Sequence, residues 1–240
     1  MTVAKRLFVF LAVASLAAPI AGAALAAPIP EAASGYAGHA YVNATTGVVS
    51  WSRPSSPTAT GVDVYSNVLS AANFGISSTD LTATWGDRVT TTGTGTLEEM
   101  DFSIYNSGSS AGPLQTVSFV IGYFDGTTFT NIGAFSTAPI DFGPGGLPAG
   151  FYTLITVMGL SPLAINLITN DVIVTQEVLD HTGAATRLGV ASLDPPTIGS
   201  SVPTMYINTP TIGPPGFYTI ANNNANPGYR INVSTPPTPT

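Results

Sequence analysis

Two carboxylates separated by one residue form the pattern in this chain that comes nearest to catalytic machinery. Glu99 and Asp101 flank Met100 in an alternating segment, so a strand would place both carboxylates on one face. Retaining glycosidases use such a pair, one acid as nucleophile and the other to protonate the leaving oxygen. Strands of that kind carry a third acid slightly farther on, but positions 103–105 here hold serine, isoleucine and tyrosine. We therefore expect a strand with a solvated acidic outer face, and we predict that the protein is not an enzyme.

The remaining ionisable residues give no stronger catalytic or metal pattern. His39 and His181 are the only histidines and the chain has no cysteine, which argues against a structural zinc site. Asp180 and His181 are adjacent, and no Gly-x-Ser-x-Gly turn accompanies them, so a hydrolase triad is not indicated. Calcium stays open as a ligand because aspartates lie near several predicted strand ends. We predict no other cofactor and assign no metal ligands.

Aromatic residues supply the candidate binding site. Trp51, Trp85, Tyr36 and Tyr41 could stack on a sugar ring if their side chains are exposed. The alternative is burial, because large aromatic side chains contribute heavily to β cores. The position of Trp85 within a strand pattern favours the core for that residue, whereas the pattern around Trp51 favours neither interpretation.

Alternating segments indicate the elements that would position these residues. In Leu97–Tyr105 the apolar side chains at 100, 102 and 104 share one face, a period of two that is typical of a half-buried strand. Residues 116–124 and 129–135 flank Asp125-Gly126, which predicts a hairpin closed by a tight type I′ turn.

The second half of the chain continues the same pattern. Residues 151–158, 171–179 and 186–193 have strand character, and the last two are predicted to pair through a turn at 181–183. Short strands separated by turn residues at intervals of eight to twelve are typical of sandwiches. We predict an all-β fold, with a single β-sandwich or jelly-roll-like domain.

The N-terminal residues predict export. Lys5 and Arg6 precede the apolar run Leu7–Ala18, and small residues end at Ala26, as in a cleaved secretory signal peptide. The predicted organisation is a signal peptide at 1–26, a loop-rich segment at 27–60, the β-sandwich at 61–233 and a disordered Pro/Thr tail at 234–240. We therefore expect a secreted protein, located outside the cell or at the cell surface.

The charge balance excludes some partners. Cleavage after residue 26 would leave four arginines, no lysine and all thirteen acidic residues, a net charge of −9. Nucleic acids and anionic membranes are bound mainly through basic patches, so neither is an expected partner. We also expect no membrane span once the signal peptide has been removed.

Five short segments carry a resemblance to a known group of proteins. They are Val64-Tyr65-Ser66-Asn67, Trp85-Gly86-Asp87, Phe102-Ser103-Ile104-Tyr105-Asn106, Arg187-Leu188-Gly189-Val190 and Gly228-Tyr229-Arg230-Ile231. Over residues 61–233 the chain resembles secreted bacterial proteins of the PEP-CTERM (exosortase-sorted) type. The resemblance implies an exported β-sandwich of the cell surface or matrix, and the group has no established activity that could be carried over to this chain. The sequence ends at Thr240 without a Pro-Glu-Pro sorting tail, so free secretion is expected.

These observations lead to one functional prediction and two alternatives. The prediction is a secreted, non-enzymatic structural or adhesive module of the cell surface or extracellular matrix. Its partners would be a polysaccharide or further copies of itself, the latter through threonine-rich edge strands. The first alternative is a lectin-like carbohydrate-binding sandwich, with or without calcium. The second is a glycoside-acting enzyme centred on Glu99 and Asp101.

Overall fold

The predicted all-β architecture is confirmed. A computed structural model describes residues 35–54, 61–70, 72–220 and 226–234. Strands account for 62% of the structure and helical residues for 2%, and the strands form two sheets. The predicted signal peptide at 1–26 lies outside the described residues. So does the predicted tail from residue 235 onward.

The described residues contain sixteen strands and one short 3-10 helix, which spans Ser161–Leu163. The strands are β1 (Gly35–Asn43), β2 (Val49–Ser50), β3 (Val62–Ser66), β4 (Ala72–Ser78), β5 (Thr84–Thr90), β6 (Gly95–Asn106), β7 (Leu114–Asp125), β8 (Asn131–Ser136), β9 (Ile140–Asp141), β10 (Phe151–Met158), β11 (Asn166–Leu167), β12 (Asp171–Gly183), β13 (Leu188–Leu193), β14 (Ser200–Thr209), β15 (Gly213–Tyr218) and β16 (Tyr229–Ser234).

Sheet 1 is built around β6, and it divides into two arms at one of the two edges of β6. At the undivided edge the order continues through β10 and β1 to β2. On the other side two strands share the edge, because β16 pairs with residues 96–102 of β6 and β13 with residues 105–106. Strand β3 lies beyond β16 and β4 beyond β13. We call the place where these two arms separate the split of sheet 1.

Sheet 2 has the order β15-β14-β5-β12-β7-β8, and β9 also pairs with β7. The inner faces of both sheets form the core. The alternation predicted for β6 is correct on this side, since Met100, Phe102 and Ile104 are almost fully buried in the main apolar cluster. Phe102 meets Phe119 of β7 edge to face at 4.9 Å. Burial of each such side chain stabilises the fold by about 1.5–3 kcal/mol.

The prediction that residues 27–60 are loop-rich, with strand character only at Val48–Ser52, is wrong for Gly35–Asn43, which forms the nine-residue strand β1. This strand pairs with β10 in parallel. The open edge of β10 supplies backbone hydrogen bonds, which compensate for the low strand propensity of the two glycines and the small residues in this segment. One of these, Gly38, lies where the register shifts and has a φ of 131° that favours glycine. The sandwich therefore includes residues before 61.

The predicted hairpin is present, but its turn is not the tight type I′ turn. Strands β7 and β8 pair, and residues 126–130 connect them. The Asp125 carboxylate accepts hydrogen bonds from the backbone N–H groups of Thr127 and Thr128, which lowers the pKa of Asp125. Phe129 carries the positive φ of 57°. The carboxylate therefore caps a longer loop at the position where the sequence predicted a two-residue turn.

The predicted pairing of residues 171–179 with 186–193 is wrong. Strand β12 belongs to sheet 2 and β13 to sheet 1. Both edges of β12 are already occupied, by β5 on one side and β7 on the other. No free edge is left for β13, so residues 184–187 carry the chain across to the other sheet.

Candidate functional site

The outer face of sheet 1 brings together side chains from strands that are far apart in sequence. The register places Tyr41 of β1 beside Thr156 of β10, Thr156 beside Asp101 of β6, and Asp101 beside Arg230 of β16. Residues next to these in each strand point into the core, so this row points away from it. The candidate site is built on this row.

Arg230 organises the charged half of the site. Its guanidinium binds Asp101 through two hydrogen bonds, Nε to Oδ2 at 2.8 Å and Nη2 to Oδ1 at 3.0 Å. Nη2 also lies 2.8 Å from Glu99 Oε2, and Nη1 lies 3.0 Å from Asp63 Oδ1. The planar guanidinium suits several carboxylates at once because its donors lie in one fork. We call Asp63, Glu99, Asp101 and Arg230 the charged cluster.

The prediction of a solvated acidic face on β6 is wrong. Glu99 is 5% exposed and Asp101 is 3% exposed. Pairing of β16 with β6 lays Arg230 over both carboxylates, and Arg53 from the segment after β2 reaches Glu99 at 3.4 Å. Burial by itself would lower the pKa of Arg230, but its bonds to Asp101 and Glu99 raise the pKa overall.

Four rings form the other half of the site, and we call Tyr36, His39, Tyr41 and Tyr152 the aromatic strip. Tyr36 and Tyr152 have ring centroids 5.4 Å apart, and His39 stacks on Tyr41 at 4.5 Å with 13° between the ring planes. Tyr36 is 50% exposed, and the other three are partly buried. The parallel pairing of β1 with β10 creates this arrangement, because it aligns Tyr36 with Tyr152.

The aromatic strip and the charged cluster are joined through Thr156. His39 Nε2 and Thr156 Oγ1 share a hydrogen bond of 2.6 Å, and Thr156 lies beside Asp101 in the register. Burial lowers the pKa of His39, and the nearby Asp101 opposes only part of that shift. Burial also raises the pKa of Tyr36 and Tyr152. These shifts favour the neutral forms of His39, Tyr36 and Tyr152.

Two of the four predicted ligand-binding residues, Tyr36 and Tyr41, lie in the aromatic strip. Trp51 lies near the edge formed by β1 and β2, where it is 46% exposed. Its ring packs against Phe142 at 5.6 Å, and its Nε1 donates to the carbonyl oxygen of Asp141. Trp85 is only 2% exposed and belongs to a second apolar cluster, as the core interpretation predicted.

The sequence analysis did not identify His39, Tyr152 or Arg230 as parts of one site. The sequence pattern brings His39 into consideration only as a zinc ligand. The sequence did hold one signal for the charged cluster: Arg230 lies between two apolar residues of a strand. An arginine that becomes buried on a sheet needs carboxylate partners. Its partners are set by strand pairing and could not be read from local sequence.

The arrangement is suited to binding more than to reaction. Both carboxylates that could have served a glycosidase are bound to the same guanidinium. Within the described ranges, no group of three or more histidine or acidic side chains is placed to hold a metal ion. The exposed part of the face offers aromatic rings beside polar groups that are already hydrogen-bonded. Such a face can stack on a ring-shaped ligand.

No protein-family model, no curated protein and no solved structure matches this chain. Helices long and apolar enough to cross a membrane do not occur among the residues that the structure describes.

Proposed function

We propose that the protein is a non-enzymatic adhesive module of the cell surface or extracellular matrix, and that it binds polysaccharide through the outer face of sheet 1. The aromatic strip carries this proposal. Its exposed ring, that of Tyr36, lies against Tyr152 on a face formed by neighbouring strands. Carbohydrate rings present apolar C–H faces that pack on aromatic rings, and their hydroxyls bind polar groups alongside.

The extracellular location rests on the sequence. The basic and apolar residues at the N-terminus have the layout of a signal peptide. Secretion as a free protein and attachment to a matrix are both compatible with this location. The resemblance to exported PEP-CTERM-type proteins supports the same proposal.

A non-catalytic role is supported by the charged cluster. A retaining glycosidase needs one carboxylate that can transfer its proton to the leaving group and a second that can attack. Here Arg230 bridges Glu99 and Asp101, and both are almost fully buried. We propose that the cluster fixes β16 against β6, so that the face beside the aromatic strip stays rigid.

Truncation of Tyr36 is expected to weaken polysaccharide binding. In Tyr36→Ala the half-exposed ring is lost, and retention in affinity electrophoresis through gels containing bacterial or plant polysaccharides should fall about two- to tenfold. Tyr36→Phe keeps the ring and should retain most of the binding. A glycan array with the wild-type protein would identify the sugar before the variants are compared.

Phe129→Ala provides the matched control, because Phe129 is 53% exposed but lies in the β7–β8 loop of sheet 2. Its binding should equal that of the wild type. If Tyr36→Ala and Phe129→Ala bind alike, or if the wild type is retained by no polysaccharide, the proposed binding face is wrong.

A further inference from the structure

A carboxylate lies in the middle of the sandwich, away from the proposed binding face. Asp87 of β5 is fully buried. Its neighbours on the same side of the strand are Trp85, which belongs to one apolar cluster, and Val89, which belongs to the other. Asp87 therefore points inward, between the two parts of the core.

Oxygen-bearing side chains surround Asp87 from both sheets. Tyr65 of β3 and Tyr229 of β16 belong to the inner face of sheet 1, and both interact electrostatically with Asp87. From sheet 2, Gln176 of β12 is a diagonal neighbour of Asp87, since Val174 is the residue paired with Asp87. Ser201 of β14 lies beside Tyr65. We call these five residues the central polar site.

The position of this site follows from the split of sheet 1. Where β16 and β13 separate, residues 103–104 of β6 lack a neighbouring strand on that edge. Gln176 donates its Nε2 across the core to the carbonyl oxygen of Ser103 at 2.9 Å. The remaining polar side-chain atoms of the central polar site make no hydrogen bond of normal geometry among the described residues, although Ser201 lies close to Tyr65 and the backbone N–H of Arg88 lies close to Asp87. These side-chain atoms are both carboxylate oxygens of Asp87, the hydroxyls of Tyr65, Tyr229 and Ser201, and Gln176 Oε1.

No cation offsets a charge on Asp87 within the described part of the chain. Arg53 and Arg230 lie at the charged cluster on the other side of sheet 1, Arg88 binds Asp171, and Arg187 donates to Ser109. The other charged group that acts on Asp87 is Asp194, whose effect is unfavourable to a second negative charge. An ionised carboxylate here would be desolvated with no cation beside it, and only the backbone N–H of Arg88 favours the charged form.

We propose that Asp87 is a buried proton-binding site: the residue is a neutral carboxylic acid in the folded protein at physiological pH, and its ionisation loosens the sandwich at the split of sheet 1. The neutral form suits its surroundings. Its O–H can donate to Gln176 Oε1, and its second oxygen can accept from a tyrosine hydroxyl. Burial raises the pKa of Asp87 well above its ordinary value; the backbone N–H of Arg88 opposes this shift in part, and Asp194 adds to it.

The sign of the pH effect follows from proton binding. The folded protein keeps a proton on Asp87 at pH values where the unfolded chain has already released it, from about pH 4 upward. The contribution of Asp87 to the free energy of unfolding is therefore fully present in acid, and it is lost as the pH rises toward the pKa of Asp87 in the folded state. His39 contributes with the opposite sign, because its pKa is lowered in the folded state. Comparison with a variant that changes only Asp87 removes this contribution.

The test compares thermal and urea unfolding of the wild type and Asp87→Asn between pH 5 and 9. Asparagine keeps the shape without a titrating proton. We expect the unfolding equilibrium constant of the wild type, relative to Asp87→Asn, to rise by up to about tenfold for each pH unit. Asp141→Asn is the control, since Asp141 is exposed on β9 and its bond to the Gly143 N–H is one that asparagine can also accept. The control should follow the wild type.

Infrared spectroscopy of the wild type gives a second readout that does not need a folded variant. At pH 7 the wild type should show the C=O band of a protonated carboxyl group, and the band should be absent in Asp87→Asn. Absence of the band in the wild type would overturn the proposal, as would parallel pH profiles of the wild type and Asp87→Asn. Stabilisation of the wild type but not of Asp87→Asn by calcium or sodium ions would also overturn it, because a cation would then neutralise an ionised Asp87.

Discussion

Replacement of Arg230 by methionine is expected to lower the free energy of unfolding by about 3–5 kcal/mol. Methionine fills much of the same volume but leaves Glu99 and Asp101 buried side by side without their shared cation. Chemical denaturation followed by circular dichroism measures the loss. Arg230→Lys keeps the charge but not the planar fork, so its loss should be smaller.

Two comparisons decide whether uncompensated charge causes that loss. Arg88→Met removes an ion pair with Asp171 whose side chains are 39% and 31% exposed, and it should cost less than about 1 kcal/mol. The triple variant Arg230→Met, Glu99→Gln, Asp101→Asn removes the buried charges together and should recover part of the stability. Equal losses for Arg230→Met and Arg88→Met would contradict the assigned role of the charged cluster.

Replacement of Asn67 by alanine is expected to cost roughly 3 kcal/mol or more, because the side chain holds the split of sheet 1 together. The amide is fully buried. Its Nδ2 donates to the carbonyl oxygens of Leu193 at 2.7 Å and Pro227 at 3.0 Å, and its Oδ1 accepts from the N–H of Tyr229 at 2.7 Å. Alanine leaves these three backbone groups buried without a partner.

Asn166→Ala is the matched control for Asn67→Ala. Asn166 also bonds through both ends of its amide, to the carbonyl oxygen of Ala164 and to Thr96 Oγ1, but it is exposed and water can replace it. Thermal unfolding should show little change for the control. Hydrogen exchange should show loss of protection first in β13 and β16 of Asn67→Ala, and uniform protection there would contradict the role of Asn67.

The local pattern of β6 was sufficient to predict one of its faces. Alternation of apolar and polar residues identified Met100, Phe102 and Ile104 as core, since only neighbouring residues decide that pattern. The opposite face could not be predicted in this way. The cation that covers Glu99 lies 131 residues away, and only strand pairing brings it there.

Residue type was similarly a partial guide to the aromatic strip. Tyr36 and Tyr41 were candidates because their rings can stack, but their partners His39 and Tyr152 depend on the parallel register of β1 and β10. Strand β1 itself escaped prediction, because its glycines and small residues have the composition of a loop. Hydrogen bonding to a distant edge overrides that local preference.

The pairing of β12 with β13 failed for a related reason. A short polar segment between two strands predicts a hairpin only if the first strand has a free edge on the side toward which the chain turns. No pattern in the sequence near β12 indicates that β5 and β7 occupy both of its edges. Long-range competition for edges therefore limits prediction in a sandwich with this many strands.

The insertion of β16 between β3 and β6 sets the order in which this molecule can be completed. A ribosome releases residues 229–234 after every other described strand, so the place between β3 and β6 is filled last. Until then the carboxylates of Glu99 and Asp101 stay hydrated, and the edges of β3 and β6 that pair with β16 remain unpaired. Folding must await this late, sequence-distant contact, which predicts slow assembly. A chain cut before β16 would lack the strand that joins β3 to β6. It would also lack the guanidinium of Arg230, which allows Glu99 and Asp101 to be buried.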